Sequence, residues 1–132
     1  MNLHRLGLTS LVLVLALSAP AQLAVTVSPL KLGANKAIVP LAMKNGFAQN
    51  VESARAVVFL VDDQGKVMGQ PTTRWVIGGT QDKPGLAVGA TNAFYFGVPL
   101  DKSLATTNLT AKVQFTRVIL EGGKLADAVK DV

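Results

Sequence analysis

Apolar and polar residues alternate with a period of two along most of this chain, and that spacing constrains the fold more than any other feature. Successive side chains of a strand point to opposite faces, so such alternation predicts strands with one buried face. The pattern occupies residues 25–28, 36–44, 51–61, 94–98 and 108–120. Helical spacing occurs only in the tail, residues 124–132. The sequence therefore predicts an all-β protein.

Three of these segments carry further information. Residues 51–61 end in an uninterrupted apolar run, which predicts a central strand covered on both faces. Pro40 has no N–H to donate, so its strand is expected at a sheet edge or with a bulge. In residues 108–120 the alternation changes phase near Arg117, so that a regular strand would turn the apolar residues on one side of this point away from the core. A β-bulge at Thr116 or Arg117 would keep the apolar residues on both sides of it facing the core.

Turn-forming residues separate the predicted strands. Residues 62–65 are typical of a hairpin connection, residues 78–85 of a longer, mobile loop, and residues 121–124 of a tight reversal. Connections this short favour antiparallel pairing. About seven short strands of this kind predict an immunoglobulin-like antiparallel β-sandwich, with a small β-barrel as the alternative. No composition shift divides the chain, so one domain is expected over residues 22–132.

The first 21 residues are predicted to be a signal peptide. His4 and Arg5 give a short basic start, and residues 6–17 are mainly apolar but shorter than the roughly 20 residues a spanning helix needs. Ala19-Pro20-Ala21 provides the small residues of a cleavage site, with Ala24 as an alternative start of the mature chain. No later stretch is apolar enough to span a membrane, so we expect a protein released into the periplasm or the medium.

Removal of this leader would leave a chain with neither histidine nor cysteine, because His4 is the only histidine. That composition excludes Ser-His triads, cysteine nucleophiles, disulfides and Cys/His zinc sites. No catalytic residue, metal site or cofactor is expected. The remaining basic residues exceed the acidic ones by four and are spread evenly, whereas nucleic-acid binding calls for a clustered basic patch.

Residues 44–98 resemble the FxLYD and CARDB-like group of secreted bacterial immunoglobulin-like domains. The resemblance rests on Lys44-Asn45-Gly46 after the first long strand, on the apolar strand of residues 51–62, on the turn of residues 63–66, and on Gly89 before Phe94 and Phe96. Val58 and Val61 stand where the pattern has Phe and Tyr. The resemblance implies a non-catalytic extracytoplasmic module, and it covers about half of the predicted mature chain.

Several short motifs suggest chemistry but also have simpler explanations. Asp62 and Asp63 could act as paired carboxylates or calcium ligands, yet two adjacent acids are too few for calcium, and aspartate commonly forms turns. Residues 28–31 match the S-x-x-K motif of serine acyl-enzymes. In those enzymes the serine lies at the start of a helix, whereas the alternation before Ser28 favours a strand. Asn108 is the first residue of an N-glycosylation motif, but the chain is expected to be bacterial, so we expect no glycan there.

Arg74, Trp75 and Tyr95 are the candidate partner-binding residues. Tryptophan and arginine are enriched where interfaces carry most of their binding energy, and an exposed Trp can also stack on sugars. The opposing interpretation places Trp75 between the two sheets, because it has strand spacing with Ile77 and sandwiches often hold a Trp there. We expect this core position for Trp75.

These observations leave three hypotheses for function. The first is a secreted, non-catalytic module that binds a protein or supports an envelope assembly, through the Pro40 strand edge or the loop of residues 78–85. The second is a small-ligand or carbohydrate module that uses Trp75 and Tyr95 on a concave surface. The third, more remote, is a hydrolase that works without His or Cys and would need two converging acids.

Overall fold

The structure, a computed structural model, describes residues 21–33, 35–100 and 108–132. Strands dominate these residues, in the order β1 Leu23–Val27, β2 Lys31–Leu32, β3 Lys36–Asn45, β4 Val51–Val61, β5 Val67–Ile77, β6 Thr91–Pro99, β7 Thr110–Leu120 and β8 Lys124–Leu125. Each segment predicted from alternation forms a strand. The predicted leader falls, except for Ala21, outside the described residues. No helix suited to crossing a bilayer occurs in the described part of the chain.

The strands form two antiparallel sheets. In the first, β1 and β2 both pair with one side of β3, and β6 pairs with the other. In the second, the order is β5-β4-β7-β8. Because neither sheet closes on itself, the molecule is a β-sandwich, and the barrel alternative is wrong. The order corresponds to strands A, B and E facing C′, C, F and G of the immunoglobulin topology.

The core lies between the two sheets and is built by alternate residues of the long strands. On β3, and on β4 from Ala54 to Leu60, every second side chain is buried, while the intervening ones are half-buried or exposed. Burying one such Val or Leu contributes about 1.5–3 kcal/mol. The chain has no cysteine, so this packing holds the sheets together without a disulfide. The central residues are Val39, Leu41, Met43, Ala56, Val58, Leu60, Phe96 and Val118.

The predicted bulge in β7 is confirmed. Arg55 of β4 lies opposite Arg117, whereas the next residue, Ala56, lies opposite Phe115. Thr116 is therefore the extra residue, and it lets both Phe115 and Val118 face the core. Without it, the residues on one side of the phase change would point away from the core.

Pro40 does not lie on an edge strand, so that prediction is wrong. β3 is paired on both sides, and no register shift interrupts its ladder with β6. The Pro40 carbonyl accepts the Ser28 N–H at 3.0 Å, so the Pro40 nitrogen also points towards the β1 side. There β1 has ended and β2 has not begun. The break between these strands removes the need for the N–H that proline lacks.

Two connections and the tail are held by local hydrogen bonds. A carboxylate oxygen of Asp62 accepts the N–H groups of Gln64 and Lys66, both at 2.9 Å, which confirms the hairpin turn. The predicted reversal between β7 and β8 is also confirmed, with the Gly123 N–H donating to the Leu120 carbonyl. The tail forms a single turn around Asp127, and the Asp131 carbonyl then accepts the Leu23 N–H at 2.8 Å.

Candidate binding surfaces

Arg74 and Tyr95 lie together where the edges of the two sheets meet. β5 and β6 each have one unpaired edge among the described strands, and these edges are neighbours. Arg74 and Tyr95 line a groove of about 440 Å³ between them, together with Asn35, Lys36 and Phe94. Tyr95 is 69% exposed, so its ring is available to a partner. The structure thus brings together two of the three candidate residues.

Trp75 lies elsewhere, on the outer face of the second sheet, and the predicted core position is wrong. Trp75 pairs with Arg55, but Ile77 pairs with Ala54, so Val76 is an extra residue in β5. The bulge buries both Val76 and Ile77 and leaves Trp75 half-buried on the outside. The assumed spacing between Trp75 and Ile77 fails for this reason.

The Trp75 ring packs against the loop that follows β5 and against a guanidinium. The Arg55 side chain lies over the ring, 5.4 Å from its centroid, at a distance suited to a cation–π contact. A side chain at Gly79 would overlap the ring. These contacts hold the ring beside Arg55, and Arg117 lies on the other side of Arg55, in β7. Trp75 and Tyr95 therefore do not share one concave aromatic surface.

Lys83 bridges the two sheets on the side of the sandwich that carries Arg74 and Tyr95. Its ammonium donates to the Trp75 carbonyl at 2.9 Å and lies 4.7 Å from the centroid of the Phe94 ring. The Trp75 carbonyl is on the unpaired edge of β5, so this bond satisfies a group that no strand reaches. The sequence singled out the loop of residues 78–85 but not this lysine, because its two partners are on different strands. The mobility of the loop stays a prediction.

The opposite side of the sandwich is open. β7 pairs with β8 only through Ile119 and Leu120, and β1 pairs only with β3. Between these edges run two adjoining grooves of about 690 and 340 Å³. Their apolar lining comes from β1, the β1–β2 connection, β2, β7 with the residue before it, and the tail. It comprises Val25, Val27, Leu30, Leu32, Leu109, Ala111, Val113, Phe115, Ala128, Val129 and Val132.

The acidic and nucleophilic candidates do not converge in the described residues. Asp62 uses a carboxylate oxygen in its turn, and Ser28 and Lys31 lie after β1 and in β2 rather than on a helix. No group of three or more potential metal-ligating residues occurs in the part that the structure covers. The pKa of Asp127 is lowered by hydrogen bonds from the backbone N–H groups of Lys130 and Val129. That carboxylate is part of a turn.

The fold and these surfaces define the class of protein as a small immunoglobulin-like sandwich, in which Lys83 bridges the sheets on one side and apolar grooves run between them on the other. No family model matches the sequence. No curated protein matches it either. Among solved structures, the chain is similar to a Bordetella pertussis protein that bears the provisional name ApaA. The identity is 19%, the TM-score is 0.57, and the match covers 81% of this chain and 89% of that one. At this identity the similarity concerns the fold alone.

Proposed function

We propose that the protein is an exported, non-catalytic β-sandwich module that binds another protein of the bacterial envelope. The observation that carries the proposal is the open side of the sandwich, where apolar residues of β1, β7 and the tail line a continuous groove. Exposed apolar surface of this kind marks interaction sites in proteins. The resemblance of residues 44–98 to secreted bacterial domains supports the same function.

Export is the first component of this proposal to test. The full chain is expressed in a bacterium with a carboxyl-terminal tag. We expect the protein in the periplasm or medium, with the mass of a chain whose first residue is Gln22 or Ala24. A variant with Ala19→Arg and Ala21→Arg, which removes the small residues of the cleavage site, should keep the leader. An unprocessed wild-type chain in the cytoplasm would overturn the export component.

Partner binding is tested with the processed protein as bait in envelope extract. We expect at least one protein to be enriched over a bait of an unrelated sandwich, to be displaced by untagged protein, and to bind again saturably once purified. Failure to enrich any such protein from periplasmic, outer-membrane and medium fractions would overturn the proposed function.

A second candidate function is the binding of a small ligand or carbohydrate in the Arg74 groove. The exposed Tyr95 ring and the Arg74 guanidinium line the same groove, and an aromatic ring beside a polar group is suited to a sugar. This candidate predicts saturable chemical-shift changes at Tyr95 in a screen of oligosaccharides, and their loss in Tyr95→Ala. A screen without such changes would remove it.

A further inference from the structure

The free edge of β7 offers unpaired backbone groups in a regular array. Val118 and Leu120 face the core, and their carbonyls accept from Ala126 and Gly123 on the β8 side. In a strand, side-chain face and hydrogen-bonding direction alternate together. The other core-facing residues of β7, Ala111 and Val113 among them, therefore direct their N–H and C=O groups to the same side.

No strand of the described chain reaches those groups. β8 ends at Leu125, and only the Ala126 N–H continues its pairing with β7. In a complete immunoglobulin sheet, strand G runs beside strand F, the position of β7 here. From Thr110 to Arg117 this neighbour is absent from the described residues. That length corresponds to about 27 Å of strand at 3.4 Å per residue.

The side chains beside this edge are left incompletely covered. Ala111 and Val113 of β7 face the core yet are only half-buried, as is Val25 of β1. Their neighbours on β4, Val58 and Leu60, are no more than 3% exposed. The difference follows from the missing strand, since β4 has a partner on each side and this part of β7 has one.

The dimensions and charge of the groove indicate what kind of molecule binds in it. Pairing two copies edge to edge through residues 110–117 would engage about eight residues from each, against the 20–30 per partner of a stable interface. A single extended segment would instead contact β1, β2, β7 and the tail at once. Of the residues lining the two grooves, only Asp63 is charged, so a segment with uncharged side chains matches them.

We propose that an extended segment of a partner polypeptide, with apolar side chains at alternate positions, binds as an added strand beside β7. Its backbone pairs with the groups of Ala111 and Val113, and its apolar side chains fill the groove. Added strands of this type gain affinity from main-chain hydrogen bonds and specificity from the alternate side chains. The inference rests on the proposed protein-binding function and names its surface and the chemistry of its partner.

The first test uses a synthetic probe and two matched variants. The probe is a peptide of about ten residues, alternating threonine and valine, with a lysine and a blocked group at each end. Val113→Lys directs a charge into the groove, whereas Thr73→Lys places the same charge on the outer face of β5, in the same sheet and away from the groove. We expect saturable binding whose Kd rises at least about tenfold in Val113→Lys and less than about twofold in Thr73→Lys. Equal binding by both variants would overturn the proposal.

The second test uses the unmodified protein and so does not depend on the folding of Val113→Lys. Amide exchange followed by NMR is expected to slow at least about tenfold at Ala111 and Val113 when the probe saturates. Saturation without this protection, or protection in the free protein by its own leader or by a second copy, would overturn the inference. A purified envelope partner that binds Val113→Lys and wild type equally would refute this surface while leaving the proposed function intact.

Discussion

Asn45 is the polar residue on which the core depends most. It is fully buried at the end of β3, and its amide group donates to the carbonyls of Gln49 and Leu86, both at 2.9 Å. Its side-chain oxygen accepts the Phe47 N–H at 2.8 Å. One side chain thus joins the β3–β4 connection to a segment 41 residues further along the chain.

Replacing Asn45 by alanine is therefore expected to lower the free energy of unfolding by about 2–3 kcal/mol, because it leaves buried backbone groups without their partners. Urea unfolding measures the loss. Asn92→Ala is the matched control, since Asn92 is exposed and, among the described residues, its side-chain oxygen accepts only the N–H of the neighbouring Ala93. The control should lose less than about 0.5 kcal/mol. Equal losses in the two variants would show that the Asn45 bonds contribute little.

Gly79 is required by the ring of Trp75. Gly79 has φ of +83°, and a Cβ there would overlap the ring, whereas Gly65, with φ of +80°, has nothing within 4 Å. Gly65→Ala should cost only the left-handed strain, about 1–2 kcal/mol, and Gly79→Ala about 1–3 kcal/mol more. Thermal unfolding gives both values, and the fluorescence of the only Trp should change in Gly79→Ala alone. Similar results for the two glycines would contradict the packing described for Trp75.

Residue roles were predictable where their cause is local. Asp62 was correctly assigned to a turn, because the N–H groups it binds lie two and four residues away. The outward position of Trp75 was not predictable, since it depends on a register shift against β4. The contacts of Asn45 and Lys83 likewise join segments distant in sequence. Arg74 and Tyr95 were identified by residue type, and only the pairing of the sheets shows that they share a groove.

Because of the bulge in β7, the removal of Thr116 keeps every other side chain of that strand on its own face. Deleting Thr116 should give a regular ladder, with Phe115 and Val118 still facing the core. Deleting Gln114 should instead turn residues 110–113 to the wrong face. We expect the first deletion to retain a cooperative thermal transition and the second to abolish it, as followed by far-UV circular dichroism. Loss of folding in both would mean that the bulge itself is needed.

The turn in the tail contains a carboxylate, Asp127, whose pKa is lowered by backbone hydrogen bonds. Because hydrogen bonds lower the folded-state pKa of Asp127, its contribution is present above the ordinary value of 3.8 and is lost as the pH falls through the folded-state value. NMR titration should place the Asp127 midpoint below 3.8. The turn of residues 127–131 should loosen as the carboxylate becomes protonated. In Asp127→Ala this pH dependence should disappear. A midpoint at or above 3.8 would contradict the role of the carboxylate.

The positions of β1, β3, β4, β6 and β7 followed from the sequence because alternation is a local signal, whereas β2, β5 and β8 were not predicted. The β7 bulge followed from a break in the alternation. The placement of β3 within its sheet did not follow from the sequence. Proline usually indicates an edge, but here the gap between β1 and β2 accommodates Pro40 within a strand paired on both sides. The shortness of β8 could not be predicted either, since residues 124–132 carry no clear strand pattern.

At the scale of the molecule, the two sides of the sandwich differ in how their edges are covered. Lys83 bridges β5 and β6 on one side through the Trp75 carbonyl and the Phe94 ring. On the other side, the backbone hydrogen bonds described between the tail and the start of β1 are those of the Asp131 carbonyl, which accepts the Gln22 and Leu23 N–H groups. The groove between β1 and β7 follows from this asymmetry. The proposed binding of an added strand beside β7 depends on that groove remaining open in the free protein.

Amide exchange along β7 in the free, processed protein tests this claim most directly. Lys112 and Gln114 direct their N–H groups to β4, while Ala111 and Val113 direct theirs to the free edge. The account predicts slow exchange at Lys112 and Gln114 and exchange at least about tenfold faster at Ala111 and Val113. Uniformly slow exchange from 110 to 117 would show that this edge is already paired, and would contradict the account.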